Sequence, residues 1–397
     1  MTTLIALVAF IPASIVFALA AFYALEVALA FLGPGRMRVG GGGSLAILIP
    51  AHDEEKVLAA TLRSVKATMR PEDRIVVIAD NCTDATAAVA RAEGAETIER
   101  TDPARRGKGF ALQFGIDHLR ADPPFGVVVV DADCTLHADA FSAIAQALAA
   151  TGRPAQMLYV MHAPPDAPPQ RKIAAFAWIL LNKVRMRGLM RLADCARLTG
   201  AGMALPWSIA ERVDLASSEI VEDIALSARL ASEGAAPLLV EEALIESVFP
   251  LGDAGAMTQR ARWENGSLRL ALGAPRLLFR GLLKGDGRLA ATALDLAVPP
   301  LGLFGALIIA SIIVSAAASA FGVALPLRLS LAAFCLLAGA TAIAWIAFGR
   351  EALPPRDLVG AGAYLKDKFS VYFGRGRASA AVWTRTERDA PSDTPPS

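Results

Sequence analysis

Three stretches of the chain, 4–32, 296–321 and 329–348, are apolar over lengths that cross a bilayer. The first carries one charge, Glu26. It lacks the basic start of a secretory leader and exceeds a leader's apolar segment, so a retained membrane helix is expected. Gly33-Pro34-Gly35 ends that helix, and Gly40 to Gly43 forms a flexible joint. Arg36 and Arg38 follow the first span, and Arg328 alone lies between the other two. The tail carries Lys366, Lys368, Arg375 and Arg377. Basic residues collect on the cytoplasmic side, which predicts an N-terminus outside and both the central section and the tail in the cytosol. A multi-pass protein of a bacterial-type plasma membrane is the expectation.

Between the spans the pattern changes. Short apolar runs at 45–49, 74–79, 96–99, 127–130, 157–161, 237–240 and 243–248 read as strands. Amphipathic or Ala-rich segments at 56–69, 110–120 and 139–150 read as helices, as does one capped by Thr83 or Asp84 and running through Ala92. Such alternation predicts an α/β domain with a parallel, doubly wound sheet. Two apolar-basic segments, 170–192 and 268–283, read as helices lying in the membrane interface, with a core helix bearing a solvated face as the alternative for the first. The expected parts are therefore an N-terminal helix and linker (1–43), the α/β domain (44–267), an interfacial region (268–290), two spans (291–348) and a basic tail (349–397) ending in disorder.

Composition supports this division. Of 397 residues 54% are hydrophobic and only 19% charged, too apolar for an ordinary soluble protein. Net charge is +1, which argues against a nucleic-acid partner. The four cysteines form no CxxC and the four histidines have no metal-ligand spacing. The spans hold few polar residues beyond Glu26 and Asp295, which argues against a transporter.

The candidate chemistry lies at strand ends. Val127 to Val130 runs into Asp131-Ala132-Asp133. Four β-branched residues in a row predict a strand buried on both faces, and carboxylates at i and i+2 fall on one side of an extended chain. At the carboxyl end of a central strand they suit a divalent cation holding a nucleotide's phosphates. A solvated turn is the equal competing reading of this tripeptide. Pro50 to Glu55 and Asp80 to Asp84 end two other strands on the same predicted edge. Arg105, Arg106 and Lys108 sit among glycines and suit phosphate or sugar, with a solvated basic loop as the alternative. Thr199 to Pro206 contains Gly200 and Gly202 without a P-loop lysine, so a close backbone approach to a sugar is expected. Glu222 and Asp223 open a helix, where capping is the competing explanation. Gln259, Arg262 and Trp263 share one helix face.

As an ordered set, these motifs resemble the family 2 glycosyltransferases with the GT-A fold, which implies a Rossmann-like, doubly wound sheet that is mixed. The membrane subgroup containing cellulose, chitin and hyaluronan synthases and ceramide glucosyltransferases is most similar. That resemblance implies that Ala51, His52, Glu54 and Asp80 hold the nucleotide base and ribose. It implies that Lys108 lies near the diphosphate or sugar, that Asp131 contacts the nucleotide and that Asp133 ligates Mg2+ or Mn2+. Asp223, beside Glu222, would be the general base, and Gln259, Arg262 and Trp263 would line the diphosphate and acceptor site. A UDP-sugar donor, one-step inversion and a lipid or lipid-linked glycan acceptor follow as expectations. The acceptor motif departs mildly, with Val221 where many relatives carry threonine. Three spans are few for a polysaccharide channel unless chains form oligomers, which favours addition of one sugar over processive synthesis. A catalytically inactive scaffold is the remaining alternative, against which the intact acidic set argues.

Overall fold

The computed structural model describes residues 2–35, 41–216, 222–249 and 253–364. Arg36, Arg38, Lys366, Lys368, Arg375, Arg377 and the end of the tail lie outside the described residues. In chain order the elements are α1 (Thr2–Ala30), β1 (Leu45–Ala51), α2 (Leu58–Thr68), β2 (Arg74–Asp80), α3 (Thr86–Ala92), β3 (Glu96–Arg100) and α4 (Lys108–Leu119). Next come β4 (Gly126–Val129), β5 (Thr135–Leu136), α5 (Ala140–Thr151), β6 (Ala155–His162), α6 (Pro169–Ile179) and α7 (Met186–Ala193). The chain continues through β7 (Met203–Pro206), α8 (Trp207–Ala210), α9 (Glu222–Ser232) and β8 (Leu238–Val248). It ends with α10 (Asp253–Lys284), α11 (Gly287–Ala297), α12 (Leu301–Ser319) and α13 (Leu325–Ala344). Two compact units result. One is built from Met1–Pro34, Pro168–Cys195 and the chain from Glu264; the other from Gly35–Ala167 and Ala196–Trp263.

The α/β unit holds one eight-stranded sheet in the order β3-β2-β1-β4-β7-β6-β8-β5. Neighbours β3, β2, β1 and β4 run parallel, and β4 meets β7 antiparallel, so the sheet is mixed, as the GT-A resemblance implies, and not all-parallel as the alternation predicts. The valine run is its centre. Val127 to Val130 are all at most 2% exposed, because β1 and β7 flank β4 and α4 closes one face through Leu112 and Ile116. Each such valine contributes roughly 1.5–3 kcal/mol by burial. Residues 237–240 and 243–248, expected as two strands, form the single strand β8. Its register against β6 breaks after Met157, where Val240 gives way to Leu244. An irregularity there keeps both sides of β8 in the ladder and leaves Glu241, Glu242 and Ala243 outside it.

The apolar unit contains three helices long and apolar enough to cross a membrane, Ala6–Ala30, Leu301–Ser319 and Leu325–Gly349. The second starts later than its hydropathy suggested because Pro299-Pro300 stops α11 first. Segment 170–192 forms one continuous helical run, as expected. A π-helical turn, Leu180–Arg185, is inserted in it and joins α6 directly to α7. At its end Arg185 donates through Nε to Glu26 Oε2 at 2.6 Å and through Nη2 to Asp295 Oδ1 at 2.7 Å. The two carboxylates that stood out as isolated in the sequence thus share one guanidinium, and all three side chains are buried. Nearby, a Cβ on Gly188 would lie 1.9 Å from the Glu26 carbonyl oxygen, so only glycine lets α7 approach α1 this closely.

Candidate active site

The ends of β1 and β2 are stitched together first. His52 Nδ1 meets the Asp80 carbonyl at 2.7 Å, and the Cys82 thiol reaches the Ala51 carbonyl at 3.4 Å. Asp53 adopts the left-handed region (φ 53°) and accepts from the Thr83 amide at 2.6 Å. The Glu54 amide donates to Thr86 Oγ1 at 2.7 Å. Ala51, His52, Glu54 and Asp80 are therefore brought to one sheet edge. The Asp80 carboxylate is buried and accepts from Arg100 Nη1 at 2.6 Å and from Asn81 Nδ2 at 3.0 Å. Of the two arginines before Lys108, Arg105 is engaged by Asp102 at 2.7 Å.

One strand further along, Asp131 and Asp133 leave β4. They do not form the extended pair their spacing suggested, because the chain turns at Ala132 and Asp133. Lys108, the first residue of α4, donates through Nζ to Asp131 Oδ1. Asp133 accepts at Oδ2 from Ser247 of β8 at 3.2 Å. Beneath them lies Tyr159 of β6, whose hydroxyl burial pushes well above its ordinary pKa, with Cys134, Asp133 and Asp131 adding to the rise.

The third carboxylate arrives from α9. Asp223 Oδ1 accepts from the Ile224 amide at 2.8 Å, and its carbonyl accepts from Ser227 Oγ at 2.9 Å. Ser227 is fully buried and in turn accepts from the Leu198 amide at 2.8 Å, so the start of α9 is pinned to the glycine-bearing loop. Gln156 of β6, also fully buried, holds that loop from below. Its Oε1 accepts from the Thr199 amide and its Nε2 donates to the Ala201 carbonyl, both at 2.8 Å. Between these anchors Gly200 takes φ +80°, and a Cβ there would sit 3.3 Å from both Asp223 Oδ2 and Lys108 Nζ. The base candidate, the lysine and Asp131 thus converge on one point. Burial pushes the Asp223 carboxyl up to about 6, against the lowering pull of the Ile224 amide and the Lys108 ammonium.

The sequence did not single out Gln156, Ser227, Ser247 or Tyr159. The available signals were weak: a lone amide in an apolar strand and a serine one turn after an acidic pair. Glu222 begins α9, while Gln259, Arg262 and Trp263 ride on α10, and all four side chains lie outside the described residues. On the opposite side of β8 from Ser247, Glu246 takes His137 at 2.6 Å and His162 at 2.7 Å. The hydrogen bond from His162 chiefly holds its carboxyl down at about 2.

The donor set of Asp131 and Asp133 suits a hard divalent cation, since it offers carboxylate oxygens with a hydroxyl alongside. Among the described residues a tighter three-ligand group exists at Asp53, Cys82 and Asp84. Burial pushes the Cys82 thiol up, which keeps it protonated and a poor ligand. Asp84 Oδ1 already accepts from the Thr86 amide at 2.9 Å, so this group is a hydrogen-bonded turn.

Residues 42–266 match the model of a family described as glycosyltransferase like family 2. Among curated proteins, 4,4'-diaponeurosporenoate glycosyltransferase of Staphylococcus aureus strain MRSA252 is 37% identical over 105 residues, 25% of this chain and 27% of the relative. The chain thus spans about a quarter of the length of the curated relatives it matches. Among solved structures, the mannosyltransferase PcManGT from Pyrobaculum calidifontis, in complex with GDP-Man and Mn2+, superposes with a TM-score of 0.55. It covers 94% of this chain and 99% of its own at 15% identity, a likeness of fold.

Proposed function

This chain belongs to the glycosyltransferase like family 2 and carries the GT-A fold, and from that premise we propose that it transfers one hexose from a nucleoside-diphosphate sugar to a membrane-dissolved acceptor. The acceptor hydroxyl attacks the anomeric carbon while the bond to the diphosphate breaks, and its proton passes to Asp223. The configuration at that carbon inverts. Asp131 and Asp133 would hold Mg2+ or Mn2+, which offsets charge on the departing diphosphate when bound. Lys108 would move from Asp131 to the same diphosphate. The convergence of Lys108, Asp131 and Asp223 around Gly200 carries this reading. Three apolar helices in the chain, and curated relatives named for 4,4'-diaponeurosporenoate, agree with an acceptor of the lipid or carotenoid class.

The test is a donor panel on membranes containing the protein, with UDP-sugars and GDP-sugars in separate arms and Mg2+ or Mn2+ added. Release of free nucleoside diphosphate with one sugar added per acceptor is expected. A product ladder would instead assign a processive synthase, the reading that the Gln259-Arg262-Trp263 motif favours. Recovery of product with the donor's own anomeric configuration would defeat the one-step scheme.

The pH profile follows from Asp223. A carboxyl must be ionised to accept the acceptor's proton, and this one titrates near 6. The expected kcat/KM falls about tenfold per pH unit below 6 and is level above it, measured with saturating metal. A profile still flat at pH 5 would remove Asp223 as the base.

A further inference from the structure

The second half of α10 presents two stripes that repeat with the same spacing. Leu272, Phe279 and Leu283 recur at i, i+7 and i+11, and are 84%, 62% and 71% exposed. Leu282, 67% exposed, widens that stripe. Arg269, Arg276 and Arg280 repeat the same intervals three positions earlier, and Lys284 extends the row. A helix turns by about 100° per residue, so the basic stripe lies about 60° from the apolar one. All four cations are exposed. Ala274 and Gly281 are buried and fall on the far side of the helix.

Four large apolar side chains at such exposure are costly in water. No acidic residue occurs between Glu264 and Asp286, and among the described residues none of the four cations is paired with a carboxylate. The same unit contains the three helices apolar enough to cross a membrane. We propose that this face of α10 docks on the surface of an anionic leaflet, with Leu272, Phe279, Leu282 and Leu283 entering the acyl boundary and Arg269, Arg276, Arg280 and Lys284 binding lipid phosphates. An apolar stripe flanked by cations is what a headgroup layer accommodates, whereas a protein partner would need carboxylates of its own to meet the basic row. The consequence is selectivity among lipids, which the apolar spans by themselves do not supply.

The full-length protein is to be reconstituted in nanodiscs of equal parts phosphatidylglycerol and phosphatidylcholine, then exchanged into detergent, and the retained lipid quantified by mass spectrometry. The wild-type is expected to retain phosphatidylglycerol over phosphatidylcholine by roughly threefold or more. The combined variant R269Q/R276Q/R280Q/K284Q is expected to return to the input ratio. If that variant fails to fold, a salt series on the wild-type serves instead, with the enrichment falling at least about twofold between low and high salt. Three results would overturn the proposal: an input ratio in the wild-type, enrichment retained by the variant, or salt-insensitive enrichment. A dimer burying this face without lipid enrichment would do so too. The readout is lipid composition, so it stands or fails independently of the sugar-transfer reading.

Discussion

Replacing Asp223 by asparagine is expected to lower kcat by about a thousandfold while raising the protein's resistance to unfolding at pH 8. The loss follows from chemistry. Asparagine keeps the size of the side chain and its bond to the Ile224 amide, but it cannot accept a proton. Donor affinity, measured by titrating nucleotide sugar with metal, should stay near wild-type, because no donor contact is assigned to this group. Asp133→Ala should instead weaken donor binding together with turnover. Equal loss of donor affinity in both variants would break the division of roles.

The gain in stability comes from the same burial that tunes the base. Folding moves the Asp223 carboxyl from an ordinary 3.8 up to about 6, so the folded state binds its proton more tightly than the unfolded state. Between about pH 4 and 6 stability therefore falls as pH rises, and above 6 the full penalty of an ionised, recessed carboxylate is present. Removing the charge should recover about 1–3 kcal/mol at pH 8 and nothing below pH 4. Unfolding midpoints of both proteins at pH 4 and pH 8 check this, and a variant less stable than wild-type at pH 8 would contradict it. The proposed role as base is what would offset such a cost in stability.

What the sequence made legible were the features that depend on local pattern. Four valines sufficed for a strand buried on both faces, and turn residues at successive strand ends sufficed to place Ala51, His52, Asp80 and Asp131 on one edge. What it concealed depends on contacts across long separations. Gln156 reaches the Thr199 to Ala201 loop more than forty positions later, and Ser247 reaches back to Asp133. Neither spacing nor hydropathy marks such partners, since a buried amide and a buried serine look like ordinary strand residues until the sheet is assembled. The turn at Ala132 and Asp133 was hidden for the same reason: period-two alternation presumes an extended chain, and this chain bends as it leaves β4. Resemblance to a family supplied roles for the acidic residues that geometry alone would have left as competing readings.

Arg185→Met is expected to destabilise the protein by about 3–5 kcal/mol, the largest loss among single changes in the apolar unit. Glu26, Arg185 and Asp295 are 0%, 5% and 1% exposed, and the guanidinium holds one carboxylate at 2.6 Å and the other at 2.7 Å. Taking the arginine away leaves two buried carboxylates facing each other without a cation. Taking one carboxylate away leaves a one-to-one pair. Glu26→Gln and Asp295→Asn should therefore each cost much less than Arg185→Met, within about 1 kcal/mol of wild-type, even though all three changes break an ion pair. An amide at position 26 still offers an oxygen to the Arg185 Nε that now donates to Glu26 Oε2 at 2.6 Å. Thermal unfolding of the four proteins in one detergent, with the double change E26Q/R185M added, separates the cases. If the charge imbalance governs the cluster, the double change is no worse than Arg185→Met alone, because the lost cation has lost a carboxylate with it. If simple packing governs, the two losses add.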